Sequence, residues 1–91
     1  MHTHDIHAVP ALHGIPILHR DDPQLGELLS PDRIYQVAEA ADTRRLHHLL
    51  HRHEYRPLFA VEECDARPCK NIRVYFARLE DIPGEFLTRP R

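Results

Sequence analysis

Histidine is the residue type whose abundance first suggests chemistry, at nine in a chain of 91. His47 and His51 are four residues apart, one helical turn up the same face, and Glu54 follows three later. Two imidazoles and a carboxylate at that spacing suit a transition ion such as Zn, Cu or Ni. The competing reading is a solvated helix flank, because Leu46, Leu49, Leu50 and His53 make the buried stripe. Cys64 and Cys69 extend the metal reading, since C-x4-C and H-x3-H are both zinc-site spacings. Against a joint site, the hairpin register described below turns both thiols away from the face that a helix would cover. The thiols are therefore expected to be free and non-catalytic in a reducing compartment, with a cross-strand disulfide as the product of oxidation. Met1, His2, His4 and His7 add an amine and three imidazoles, a set that captures copper or nickel.

A second set is cationic. Arg44, Arg45 and Arg52, with His48 between them and Arg56 beyond, form a basic helix flank that could meet phosphate or an acidic protein. No aromatic is interleaved with them, and Glu39, Asp42 and Glu54 lie close by, which weighs against nucleic acid. Other chemistries lack their parts. Ser30 is the sole serine and is best used as a helix cap. Gly14, Gly26 and Gly84 are too scattered for a phosphate loop or dinucleotide fingerprint. No nucleophile or paired-carboxylate motif is present, so a non-catalytic protein is expected.

The totals set further bounds. Ninety-one residues make a single domain, 1–91, with 1–7 expected to fray. The net charge of −2 implies no partner, but it is unevenly spread: −5 over 1–42, +4 over 43–79 and −1 over 80–91. The first residues lack the basic and apolar regions of a signal peptide. No apolar run approaches bilayer length. No membrane association and a cytoplasmic setting are the expectations.

These residues must be positioned by local elements. Ile15–Leu18 is a short apolar run that Pro16 confines to an edge if it is a strand, and Ile6–Val9 is a similar run. Pro23–Leu29 is a short helical candidate. Ser30-Pro31-Asp32 is a helix-start signal, and Ile34, Val37, Ala38 and Ala41 follow at helical spacing. The apolar stripe then shifts by roughly 100°, so a break at Asp42-Thr43 and a second helix capped by one of them are expected. Pro57 bounds that helix, which should end by about His53. Ile82-Pro83-Gly84 turns the chain, allowing Phe86-Leu87 to dock back.

The most regular pattern is Tyr55–Leu79, a β-hairpin with strands near Leu58–Cys64 and Lys70–Arg78. Pairing Cys64 with Cys69 places Glu62 opposite Asn71, Ala60 opposite Arg73 and Leu58 opposite Tyr75. The core face is then Phe59, Val61, Ile72, Val74 and Phe76. The outer face carries Leu58, Ala60, Tyr75 and Ala77 between Arg73 and Glu62, the composition of a partner surface. The competing reading covers that face with N-terminal strands or the tail.

The expected fold is α+β, a small antiparallel sheet with one or two helices on one face. The expected function is that of a small accessory or regulatory protein. It would bind another protein or itself through Leu58, Glu62, Arg73 and Tyr75. Metal binding through His47, His51 and Glu54 comes second, and nucleic-acid binding through Arg44, Arg45 and Arg52 third.

Overall fold

The computed structural model describes residues 12–51, 54–66 and 69–87. The elements run β1 (Ile17–His19), α1 (Leu25–Leu28), β2 (Gln36–Glu39), α2 (Thr43–Leu50), β3 (Tyr55–Glu62), β4 (Ile72–Arg78), a 3-10 turn (Leu79–Asp81) and α3 (Gly84–Leu87). The class is α+β, built on a four-stranded sheet in the order β1-β3-β4-β2. The sheet is mixed rather than antiparallel throughout. β1 runs parallel to β3, with Ile17 opposite Ala60 and His19 opposite Glu62, while β3–β4 and β2–β4 are antiparallel. The run after Pro16 is an edge strand as expected; Ile6–Val9 and the termini lie outside the described residues.

The hairpin forms where the alternation puts it, but its register changes partway. Tyr55, Arg56 and Pro57 pair with Arg78, Ala77 and Phe76, which is the expected register. Above Pro57 a bulge adds one residue, and Phe59, Ala60 and Val61 pair with Tyr75, Val74 and Arg73. Pro57 supplies a physical reason. Glu63 N–H bonds to Asn71 O, so in the antiparallel alternation Ala77 also directs its bonds at β3. If the register above the bulge continued unbroken, Pro57 would face Ala77 and owe it a donor that proline lacks. With the bulge Arg56 takes that position.

The bulge redistributes the core. Ala60, Ile72, Val74 and Phe76 share one face with Leu12, Ala38, Ala40 and Leu46. Leu58, Phe59, Val61 and Ala77 lie on the other with Leu25 and Ile82. Phe59 and Val61 are therefore buried, but opposite Ile72, Val74 and Phe76 rather than beside them. Both faces are covered, which corrects the expectation of helices on one face. α2 covers the first through Leu46, with Leu49 and Leu50 at its margin. Leu25 of α1, Tyr35, Ile82 and Phe86 cover the second. Full burial of a Phe, Leu or Val side chain contributes about 1.5–3 kcal/mol, so two thin layers share what one thick layer would have supplied.

α2 begins at the expected break. Asp42 is its N-cap, its Oδ1 accepting from Arg45 N–H at 3.0 Å. The helix expected from Ser30 onward does not form, because Gln36–Glu39 is strand β2. Ser30 donates its hydroxyl hydrogen to Asp32 instead of accepting from a helix N–H. A single short helix is marginal by itself, whereas β2 completes the open edge of β4. Ala38 and Ala40 are buried while Val37 and Glu39 are exposed, a period-two pattern that overlaps the helical one at this length.

Candidate functional site

Among the described residues β2 ends the strand order on the β4 side of the sheet. Ala40 N–H bonds inward to Ile72 O at 2.8 Å. Antiparallel alternation then turns Gln36 and Ala38 toward β4, and Tyr35, Val37 and Glu39 outward. Glu39 O accepts from Asp42 N–H at 3.0 Å, which closes the turn into α2 and ends the edge. Among the described residues no strand lies beyond β2.

The two sheet edges differ. β1 is three residues long, follows Pro16, ends at His19 and is followed by Arg20, features that blunt an edge. β2 has neither proline nor lysine. Ile34 just before it is 63 % exposed and Val37 is 37 % exposed. Glu39, also exposed, sits across from Arg73. At the N-terminal end of the strand an open groove of about 360 Å³ is lined by Asp32, Arg33, Ile34, Asp81, Pro83 and Gly84. The Asp32 carboxyl is held below the ordinary aspartate range, chiefly by the Ser30 hydroxyl and then by its own backbone N–H, with a smaller push from Arg33.

A second cluster lies at the opposite edge. Asp21 N–H donates to His19 Nδ1 at 3.1 Å, which leaves the hydrogen of the neutral ring on Nε2, 2.9 Å from Asp65 Oδ1. Arg20 reaches Asp65 Oδ2 at 3.2 Å and donates to Glu63 O at 2.7 Å. One nitrogen and two carboxylates within 4.8 Å of one another resemble a metal donor set. Here the guanidinium already matches the Asp65 charge and both ring nitrogens are engaged. The cluster therefore acts as a clamp between the end of β1 and the hairpin loop. Sequence reading missed it because its partners are more than 40 residues apart.

The residues singled out from sequence separate. Leu58 is 6 % exposed, buried with Phe59 on the α1 side. Tyr75 is half-buried on that side, its ring 5.0 Å from Phe59 and 5.8 Å from Tyr35. Arg73 is exposed, but Glu62 pairs with Ile72 and so lies on the opposite face from Arg73. The expected outer face is therefore not one surface, because the bulge shifts the parity and Tyr35 and Phe86 pack over Phe59.

His47 and His51 are exposed at the end of α2. Glu54 is not brought together with them: the helix stops at Leu50, and Glu54 Oε1 lies 3.2 Å from Arg78 Nε. Among the described residues they form no three-ligand group. Arg44 and Arg45 are exposed on α2, while Arg52 lies outside the described residues. Cys64 and Cys69 are joined as a disulfide with Cα atoms 5.7 Å apart, not free as expected. Both pack on the α2 side of the sheet, so the register objection to a Cys/His site fails. The S–S bond itself removes the thiolates that zinc would need. No helix among the described residues is long and apolar enough to cross a membrane.

No family model, curated protein or solved structure matches the chain.

Proposed function

We propose that this is a small non-catalytic binding protein, an accessory or regulatory module that acts by adding a protein strand to the outer edge of β2. The observation that supports this is the edge itself. Val37 turns its N–H and C=O away from β4, with exposed Ile34 beside it and no proline or lysine to block approach. Main-chain hydrogen bonds would supply affinity, and the side chains of Val37 and Glu39 on one face with Ile34 on the other would supply register and selectivity. The earlier candidate surface around Tyr75 gives way to this one, because Tyr75 is engaged by Phe59 and Tyr35.

Val37→Pro tests the reading. Proline at this position removes the outward donor and leaves the inward bonds of Gln36 and Ala38 intact. Native mass spectrometry of the untagged chain should show an assembly, with itself or with another protein, that the variant loses while keeping its circular dichroism spectrum. Equal assembly by both proteins would contradict the reading.

A further inference from the structure

We infer that His47 and His51 hold a divalent late transition ion, of the class of zinc, copper or nickel, across the last turn of α2. The inference is independent of the β2 edge.

The helix itself sets the two residues. His51 N–H bonds to His47 O at 3.0 Å. His51 is the C-cap, yet its backbone stays right-handed helical at φ −69° and ψ −11°. The helical turn between the two is therefore complete. At helical twist and rise they are about 40° apart around the axis and about 6 Å apart along it, so both side chains lie on one face. Fully buried Leu46, with Leu49 and Leu50, fixes the side of α2 that meets the sheet. His47 and His51 lie away from that side, and both are exposed. Helical zinc sites use two histidines at this spacing, and imidazole nitrogen suits all three ions.

Charge selects this pair over its neighbour. His48 is also exposed and stands three residues before His51. It lies three residues from Arg45 and four from Arg44, so a dication beside it would meet two guanidinium groups. His47 has only Arg44 at such a spacing, and His51 has neither. The pair also lies at the C-terminal end of α2, where the helix dipole favours a cation. Two nitrogens leave the other coordination positions to water, so the site is an open surface chelate and not a closed four-ligand centre. Glu54 takes no part, since its carboxylate is turned to Arg78.

Zinc chloride titrated into the untagged full chain, followed by NMR of the imidazole nitrogens, tests this. The His47 and His51 rings should shift together on one saturation curve. The His19 ring, held by Asp21 N–H and Asp65, should not follow them. With zinc at about ten times half-saturation, exchange of the His51 amide should slow about tenfold, because opening that turn releases the ion. His47→Ala and His51→Ala should each weaken zinc binding at the remaining histidine at least tenfold, and His48→Ala less than twofold. All three positions are exposed, so the circular dichroism spectrum should not change. Zinc shifts absent from His47 and His51, or separate curves for the two, would overturn the site. So would zinc binding that leaves exchange of the His51 amide unaltered. His48→Ala as damaging as His47→Ala would overturn the choice of pair.

Discussion

Phe59 stacks on Tyr75 across the hairpin, ring centroids 5.0 Å apart and planes 10° from parallel. The pair follows from the bulge after Pro57, which sets Phe59 directly opposite Tyr75. Tyr35 meets both rings edge-on, at 5.7 Å and 5.8 Å, and Phe86 stacks on Phe59 at 6.1 Å. Four aromatic rings thus close the sheet face that the helix α2 does not reach.

Tyr75→Ala should therefore destabilise the monomer by about 2 kcal/mol or more, the lower range for losing a packed aromatic because Tyr75 keeps some exposure. Val74→Ala, on the opposite face and fully buried, should cost about 1–3 kcal/mol. Denaturant unfolding measures both. A Tyr75→Ala protein of wild-type stability would show that the aromatic group is a surface and not a core.

The hairpin was legible in the sequence because its alternation is long. The α2 start was legible because Asp42 caps it where the apolar stripe shifts. β2 was not, since Ile34, Val37, Ala38 and Ala41 satisfy a helical period while Ala38 and Ala40 satisfy a strand period. What decided was the open side of β4, a tertiary partner that no local pattern encodes. The bulge was foreshadowed by Pro57, but only the strand pairing shows which hydrogen bond the proline could not make. The clamp of His19 and Arg20 on Asp65 joins distant residues and leaves no local signature.

The Cys64–Cys69 disulfide closes a short loop on the α2 side of the sheet. By chain-entropy reasoning, a loop of six residues stabilises the fold by about 2 kcal/mol. The Cys64→Ser/Cys69→Ser double variant should lose that much in denaturant unfolding, and the non-reduced wild-type chain should show no titratable thiol. Two free thiols in protein kept from reductant would contradict the disulfide.

Asp32 provides a pH test. Its folded carboxyl titrates below the unfolded value, so the folded state favours the ionised form. Its contribution is present above the unfolded aspartate range and is lost as pH falls through the folded pKa. Ser30→Ala removes the largest cause and should raise the Asp32 midpoint in an NMR titration. An unchanged midpoint would show that the Ser30 hydroxyl does not set it.

The most direct test of the β2 edge is the hydrogen-exchange rate of the Val37 amide as a function of protein concentration. That N–H turns away from β4, whereas the amide of its neighbour Ala38 turns toward it. Strand addition at this edge predicts that Val37 exchanges quickly in dilute protein and slows at least tenfold as the assembly forms, while Ala38 is protected throughout. A Val37 amide that exchanges at one rate across the whole concentration range would contradict strand addition at this edge.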